Sequence, residues 1–188
     1  ALIESGLQNV VSPAGAAGYW QIMKSPGREN GLEINNEIDE RYHIEKSTQV
    51  ACDYLNEAYE RFGNWTLAAA SYNMGMAGTA RRLAEQGVES YYDLLLNAET
   101  ARYVYRVAAV KHIHENLEEF GYVYHQDQGY SFPEMDTISV NTKVTDWISW
   151  AKAQGITYNT LRVYNPWIQS QQLSNSTNKA YHIWVPSK

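Results

Sequence analysis

The sequence lacks the features that mark several classes of protein. Its 188 residues include one cysteine, Cys52, so no disulfide can form within the chain and no zinc site can be built from cysteines. No run of about 18 apolar residues occurs, so we expect no membrane-spanning helix in this sequence. The formal net charge is −6 without a block of like charges, which argues against a nucleic-acid-binding surface, because such a surface must neutralise phosphates.

Aromatic residues are abundant although phenylalanine is scarce: 15 Tyr and 6 Trp stand against 3 Phe. Rings that carry a polar group suit clefts that stack on sugars, and they also suit a tyrosine-rich core. The length allows one domain, or one domain with a small module.

The N-terminus shows no basic segment followed by an apolar one, so we expect any targeting signal to lie outside this sequence. The residues Ala1-Leu2-Ile3 begin abruptly in an apolar phase, as in a helix that starts further upstream. Any membrane anchoring would then depend on residues absent from this sequence.

Residues 1–125 are predicted to form a mainly helical domain. Apolar residues recur with the helical period over 47–62, where Ser47 is the predicted N-cap and Gly63 the predicted stop. The other predicted features are helices at 65–73, 79–86 and 97–121, interruptions at Gly75 and Gly78, and a loop at 25–36.

A second, smaller module is predicted after the helical domain. A polar stretch with glycine and proline over 126–134 indicates a linker, which we place at 126–136. Beyond it, 137–188 is predicted to fold in the order strand–helix–helix–strand. Its elements are expected at 137–141, 144–154, 157–164 and 180–185.

Glu4 is a carboxyl group whose apolar sequence neighbours, in the segment Ala-Leu-Ile-Glu-Ser-Gly-Leu, could supply desolvation. An acid that donates a proton near neutral pH needs a pKa above the ordinary glutamate value of about 4.3, and desolvation raises it. The pattern therefore makes Glu4 a candidate general acid. The alternative is an ordinary carboxylate on a helix surface.

Other segments place aromatic rings next to groups that can bind sugars. Trp20 and Gln21 follow a stretch of small residues, which lets the backbone approach a ligand closely. An indole can stack on a sugar, and an amide both donates and accepts hydrogen bonds. Tyr72 and Asn73 form a second such pair at a predicted helix end, and Tyr103 lies near the start of the long helix.

These segments, in this order, resemble the catalytic domain of the lytic transglycosylases of goose-type lysozyme fold (glycoside hydrolase family 23), most of all their membrane-bound D type. The family's Glu-Ser motif matches Glu4 and Ser5, and its Gly-x-x-Gln-x-Met motif matches Gly18, Gln21 and Met23. Its Ala-Tyr-Asn-x-Gly motif matches Tyr72, Asn73 and Gly75. Its Glu-Thr-x-x-Tyr-Val motif matches Glu99, Thr100, Tyr103 and Val104. The phrase Asp39-Glu40-Arg41 is also similar to the family. The resemblance implies a mainly α, lysozyme-like domain over 1–125.

The sequence departs from the family pattern around the third motif. Ser71 and Met74 stand where alanines are usual, and Met76-Ala77 replaces a proline that often follows. Because these changes remove no polar group, we expect them to reshape the cleft wall and to leave its chemistry in place.

The resemblance implies cleavage of peptidoglycan between N-acetylmuramic acid and N-acetylglucosamine with one carboxyl group. Glu4 would protonate the leaving oxygen and then accept the proton of the muramic acid C6 hydroxyl, which attacks in place of water and leaves a 1,6-anhydro end. Intramolecular attack reaches effective molarities of about 10⁵ M or more, so no second carboxylate is needed to position water. The resemblance places Ser5, Gln21, Tyr72, Asn73 and Tyr103 around the scissile sugar, and Trp20 is a further substrate-binding candidate because its ring can stack on a sugar.

The same resemblance implies peptidoglycan glycan strands as the partner, no cofactor or metal, and a place in the bacterial cell envelope, in the periplasm or at the outer membrane. Two alternatives stay open. One is a lysozyme-type hydrolase on the same fold, in which water attacks. The other is a non-catalytic peptidoglycan-binding protein, against which the intact Glu4, Gln21, Asn73 and Tyr103 speak.

The C-terminal module is similar to a LysM domain in element order and in the positions of Trp147, Leu161 and Asn165-Pro166-Trp167. It lacks the Gly-Asp-Thr turn that usually opens the first LysM helix and has Asn141-Thr142-Lys143 instead. Sugar binding by this βααβ module is one hypothesis. The alternative is that it packs against the helical domain and stabilises it.

Other titratable residues have simpler interpretations. His112 and His114 are two apart on a predicted helix and point in different directions, so they cannot share a metal. Cys52 is predicted to be a small buried apolar residue. Several acids crowd one loop, where one could act as a second catalytic carboxylate but a solvated loop is expected. These acids are Glu29, Glu33, Glu37, Asp39 and Glu40.

Overall fold

The computed structural model describes residues 1–123, 125, 127 and 129–187. The predicted linker contains residues 126 and 128, which lie outside the described residues, as does residue 188 of the predicted module. The helices are α1 (Leu2–Ser5), α2 (Lys24–Glu29), α3 (Ile44–Phe62), α4 (Trp65–Met74), α5 (Met76–Gln86), α6 (Ala98–Glu115), α7 (Trp147–Ala153) and α8 (Tyr158–Tyr164). The strands are β1 (Met135–Val140) and β2 (Tyr181–Pro186), and short 3₁₀ turns occupy Glu40–Tyr42 and Tyr91–Asp93.

The fold is mostly helical with a small two-stranded antiparallel sheet, which confirms the predicted fold class. The order β1-α7-α8-β2 is the predicted βααβ order, and the register pairs Met135 with Pro186 and Val140 with Tyr181. Among the helices of the described ranges, none combines the length and apolar character that a membrane span requires.

Helix ends follow local capping chemistry. α4 begins where the Asn64 side chain accepts a hydrogen bond from the Leu67 amide at 2.9 Å, and it ends at Gly75, whose φ of 77° favours glycine. The predicted interruption at Gly78 is wrong, because this residue lies inside α5. The predicted N-cap Ser47 is also wrong: α3 begins three residues earlier, and the Ser47 hydroxyl donates to the carbonyl of Ile44.

Three other local predictions need correction. The long helix α6 ends at Glu115 rather than at Gly121. The side chain of the next residue, Asn116, donates to the carbonyl of His112 at 2.8 Å. Part of the predicted loop at 25–36 is helix α2. Cys52 is exposed, not buried, because its position borders the apolar face of α3 without belonging to it.

Packing divides the chain into two compact units, Ala1–Thr48 with Tyr130–Lys188, and Gln49–Gly129. The predicted domain boundaries at 1–125, 126–136 and 137–188 remain a proposal beside this division. In the first unit, Ile38 pairs in an isolated β-bridge with Ile168. The LysM-like residues therefore share a core with the N-terminal segment.

The core of the first unit includes residues that carry the LysM resemblance. Trp147, Leu161 and Ile168 are fully buried and pack in one cluster with Ile38. Asn165 is also fully buried, and its amide is satisfied by the Leu161 carbonyl and by both backbone groups of Trp184. Because a buried amide without partners would be costly, this residue fixes the junction of α8 and β2.

A charged cluster also joins the N-terminal segment to the module within this unit. Lys179 donates to Glu33 at 2.6 Å, and Tyr181 donates to the same carboxylate at 3.0 Å. Glu40 is 2% exposed and pairs with Lys46. Burial raises the pKa of Glu40, but the hydrogen bond and charge of Lys46 and the Glu33 amide outweigh it, so the net shift is downward. The module thus packs against the N-terminal segment, and that this packing stabilises the helical domain stays a prediction.

Candidate active site

Glu4 lies on the short helix α1, and the next residue attaches this helix to a hairpin. The Ser5 hydroxyl donates to the Tyr19 carbonyl at 2.8 Å and to the Ala1 carbonyl at 3.2 Å. Gly6 closes the helix in the left-handed region at φ 62°. Glu4 and Ser5 are half-buried. The Glu-Ser motif is therefore held beside the hairpin that carries the second motif.

That hairpin spans 17–22 and presents Trp20 and Gln21 in its loop. Ala17 and Ile22 exchange two backbone hydrogen bonds of 3.1 Å. Gln21 adopts φ 50°, and its amide nitrogen donates to the carbonyls of Gly18 at 2.8 Å and Val10 at 3.0 Å. Since the side-chain nitrogen of Gln21 is used within the loop, we propose that the side-chain carbonyl oxygen accepts a hydrogen bond from the substrate.

Trp20 is oriented by a bond to the start of α3. Its indole nitrogen donates to the Thr48 hydroxyl at 2.8 Å, and the side chain is half-buried. An indole fixed at one edge keeps a defined ring plane, which is what stacking on a pyranose needs. The sequence predictions for Ser5, Trp20 and Gln21 therefore fall on one hydrogen-bonded substructure within the first unit.

Arg41 holds this hairpin in place from beneath. The residue is 3% exposed, and its guanidinium donates to the carbonyls of Gly15 at 2.8 Å and Ile22 at 3.1 Å. On its other side it forms a two-pronged pair with Asp39, at 2.9 and 2.7 Å. The sequence predicts only that Asp39-Glu40-Arg41 is similar to the family. The role of Arg41 in positioning the hairpin becomes visible from its contacts with Gly15 and Ile22.

The buried ion pair corrects the expectation of a solvated acidic loop. Asp39 is 7% exposed and Glu40 is 2% exposed. Both carboxylate oxygens of Asp39 accept hydrogen bonds from the Arg41 guanidinium. One of them also accepts from the Arg41 backbone amide at 3.2 Å. A carboxylate used in this way is a structural anchor. Of the same group of acids, Glu29 is exposed as predicted.

Gly18 is predicted to be irreplaceable at the base of the hairpin. A Cβ built on Gly18 would lie 2.0 Å from the Arg41 carbonyl oxygen, and φ is 79°. We expect Gly18→Ala to lower the free energy of unfolding by about 2 to 3 kcal/mol, from left-handed strain and steric overlap together. Chemical denaturation followed by circular dichroism measures this change.

The matched control for that substitution lies in the same loop. Gly15 also has a positive φ of 86°, but an added Cβ meets nothing within 4 Å. Gly15→Ala should therefore cost only the strain, about 1 kcal/mol. Equal losses in the two variants would contradict the close approach of Gly18 to Arg41.

The third motif lies in the second unit, at the C-terminal end of α4. Tyr72 and Asn73 are half-buried in its last turn. The Tyr54 hydroxyl donates to the Ser71 carbonyl at 2.7 Å and accepts from the Met76 amide at 3.1 Å. The rings of Tyr54 and Tyr72 pack edge to face at 5.4 Å. Tyr54 thus fixes the break between α4 and α5 and orients Tyr72.

The departure from the family pattern at Ser71 is accommodated without an exposed polar group. The residue is fully buried, and its hydroxyl donates to the Ala68 carbonyl at 2.7 Å. The hydroxyl therefore points along its own helix.

The fourth motif starts α6, where Asn97 caps the helix through the Thr100 amide at 2.9 Å. Tyr103 lies less than two turns after that cap and is buried, with 8% of its surface exposed.

The structure thus gathers the predicted residues into two groups. Glu4, Ser5, Trp20 and Gln21 belong to the first unit, and Tyr72, Asn73 and Tyr103 belong to the second. That the two groups line one cleft stays a prediction. Within the described ranges, no set of three or more histidine, cysteine or acidic side chains could hold a metal ion.

Comparison with known proteins gives matches at both ends of the chain. The family model for the transglycosylase SLT domain matches residues 1–95. The model for the soluble lytic transglycosylase C-terminal LysM-like domain matches 136–188. Two similar relatives, each called membrane-bound lytic murein transglycosylase D, come from Escherichia coli strain K12 and strain O6:H1 (CFT073). Each is 32% identical over 126 residues, which cover 64% of this chain and 28% of the relative's length.

Proposed function

Because the chain belongs to the transglycosylase SLT family, we propose that it is a lytic transglycosylase acting on peptidoglycan of the bacterial cell envelope. The family match and the LysM-like match confirm the resemblance inferred from the sequence motifs. Peptidoglycan glycan strands are the proposed partner. The structural observation that supports the proposal is the 2.8 Å hydrogen bond from the Ser5 hydroxyl to the Tyr19 carbonyl, which couples the Glu-Ser motif to the hairpin that carries Trp20 and Gln21.

Glu4 is the proposed acid and then base. In the first step its carboxyl proton moves to the glycosidic oxygen, and the bond from that oxygen to C1 of the N-acetylmuramic acid breaks. In the second step the C6 hydroxyl of the same sugar bonds to C1, and its proton returns to the Glu4 carboxylate. The enzyme ends in its starting state, and the balance requires no water, cofactor or second carboxylate.

The remaining motif residues are proposed to bind the sugars around the scissile bond. Trp20 would stack on a pyranose, and the Gln21 carbonyl oxygen and the Asn73 amide would bind hydroxyl or acetamido groups. Tyr72 and Tyr103 are proposed to contribute from the second unit. Ser5 has its hydroxyl committed to the backbone, so we assign it to positioning Glu4 and not to direct substrate contact.

The mechanism predicts the mass of the product. Digestion of purified peptidoglycan should release muropeptides that are lighter by one water than the corresponding reducing products, because the C6 hydroxyl replaces water as the nucleophile. Mass spectrometry of the soluble fraction measures this difference. Reducing ends as the main product would instead support the lysozyme-type hydrolase.

A further inference from the structure

The LysM-like module pairs with a short hairpin of the N-terminal segment. This hairpin, here called the acidic hairpin, consists of residues 33–40, and its two arms meet in an antiparallel bridge. The Asp39 amide donates to the Trp167 carbonyl of the module at 2.9 Å, and the Gln169 amide donates to the Glu37 carbonyl at 2.7 Å. The module therefore holds the backbone of the second arm.

Polar groups of the module also bind the carboxylates of the acidic hairpin. Ser174 donates to Glu37 through its amide at 2.8 Å and through its hydroxyl at 2.7 Å. The Lys179 ammonium donates to Glu33 at 2.6 Å and lies 3.5 Å from a carboxylate oxygen of Glu40. Glu33 and Glu40 are the first and last residues of the acidic hairpin, so Lys179 joins its two ends.

Lys179 is charged in this position. Burial lowers its pKa, but its hydrogen bond to Glu33 and the negative charges of Glu40 and Glu33 outweigh burial, so the net shift is upward. Without this cation the two carboxylates would repel each other. Lys46 pairs with Glu40 as well, so we expect the loss of Lys179 to loosen the acidic hairpin without unfolding it.

The acidic hairpin leads directly to the arginine that anchors the hairpin of the second motif. Asp39, whose amide is bound by the module, accepts the Arg41 guanidinium through both carboxylate oxygens. Arg41 donates in turn to the Ile22 carbonyl at 3.1 Å, at the base of the hairpin that carries Trp20 and Gln21. Because Asp39 and Arg41 are buried and close-packed interiors transmit small displacements, a shift of the acidic hairpin should reach Gln21.

We propose that the LysM-like module positions the hairpin that carries Trp20 and Gln21 for substrate binding, and that Lys179 is a positioning residue that acts through the acidic hairpin and Arg41. The proposal rests on the proposed function, since it assumes that this hairpin binds the glycan. The module itself need not touch the substrate. Binding groups that are not held in place must be ordered when the substrate binds, which weakens binding.

Lys179→Met removes the charge and keeps most of the side-chain length. The Lys179 side chain is 42% exposed, so the variant should fold. We expect its KM for soluble, uncross-linked peptidoglycan strands to rise about three- to tenfold. The kcat should change less than about twofold, because Glu4 lies on α1 and outside the loosened hairpin.

Two variants accompany Lys179→Met in the kinetic measurements. Lys179→Arg keeps a cation at this position, so it should restore most of the affinity. Lys152→Met removes an exposed lysine on α7 of the same module and should leave KM and kcat unchanged. If Lys179→Met does not fold, Ser174→Ala, which removes one of the two hydrogen bonds to Glu37, takes its place.

Hydrogen exchange followed by mass spectrometry measures the position of the hairpin without turnover. The amides of Ala17 and Ile22 donate to each other's carbonyls, so they should be protected in the unsubstituted protein. We expect exchange over 17–22 to be about threefold or more faster in Lys179→Met. Ala151→Gly weakens α7 inside the module core. It should speed exchange in α7 and leave 17–22 unchanged.

These measurements distinguish positioning from a general loss of module stability. Unchanged KM and unchanged exchange over 17–22 in a folded Lys179→Met overturn the positioning role. Equal effects of Lys179→Met and Ala151→Gly on KM and on this exchange overturn it as well, because they would reflect module stability alone.

Release of 1,6-anhydro muropeptides by the unsubstituted protein separates this proposal from the proposed function. Normal release together with unchanged exchange over 17–22 in Lys179→Met overturns the positioning role alone. Absence of release together with the expected faster exchange overturns the transglycosylase proposal and leaves standing the coupling between the module and the hairpin.

Discussion

Replacing Glu4 by glutamine is expected to lower the rate of muropeptide release from purified peptidoglycan by about 10²–10⁴-fold. Glutamine has nearly the same shape but neither donates a proton to the glycosidic oxygen nor accepts one from the C6 hydroxyl. This loss corresponds to about 3–5 kcal/mol of transition-state stabilisation. Initial rates of soluble product formation, compared at equal protein concentration, measure it.

Glu29→Gln is the matched control for this result. Glu29 is an exposed acid of the same N-terminal segment, and its carboxylate accepts a hydrogen bond from the Ser25 hydroxyl at 2.9 Å. Its substitution should leave the rate unchanged. An unchanged rate in Glu4→Gln, or a similar loss in Glu29→Gln, would contradict the single-acid mechanism and favour a second catalytic carboxylate.

Replacing Arg41 by alanine is expected to lower the free energy of unfolding by about 3–5 kcal/mol. The substitution leaves Asp39 as a buried carboxylate without its counter-charge, and it removes the donors to Gly15 and Ile22 that hold the hairpin. Urea denaturation followed by tryptophan fluorescence measures the loss. Activity should also fall in the folded fraction, because Gln21 loses its fixed position.

Two controls show whether the buried pair is the cause. The double variant Asp39→Ala with Arg41→Ala should lose less stability than Arg41→Ala alone, since it leaves no uncompensated charge. Lys111→Ala breaks the exposed pair with Glu115 on α6 and should cost less than about 1 kcal/mol. A loss in Arg41→Ala no larger than in Lys111→Ala would contradict the anchoring role.

Much of the helical fold could be predicted because its signals are local. Asn64 caps α4, Asn97 caps α6, and Gly63 and Gly87 end their helices at positive φ. Each signal depends on residues within one turn of the helix end. The strand–helix–helix–strand order of the C-terminal module was predicted as well, and its two helices begin at the local caps Asp146 and Thr157.

Other features depend on distant partners and could not be predicted. The acids around residue 40 look like a solvated charge run, yet Glu40 is buried because Lys179 of the module approaches it. The α2 segment looks like a loop because of its proline and glycine. Gly27 is instead buried in packing, where an added Cβ would lie 2.8 Å from the end of the Ile34 side chain and would push that side chain aside.

The candidate site shows the same division. Glu4, Gln21 and Asn73 were identified from motif order, because the resemblance carries them residue by residue. The anchoring role of Arg41 needed three-dimensional contacts. Arg41 acts through the backbone carbonyls of Gly15 and Ile22, which are far from it in sequence. Every residue has a backbone carbonyl, so residue types do not indicate such partners.

The most direct measurement of the central claim is digestion of purified peptidoglycan in ¹⁸O-labelled water, with Glu4 intact and with Glu4→Gln. A carboxyl group that passes the proton between two oxygens of the substrate should yield new glycan ends that carry no ¹⁸O, and these ends should nearly vanish in the variant. Labelled ends, or unlabelled ends formed equally well by Glu4→Gln, would contradict it.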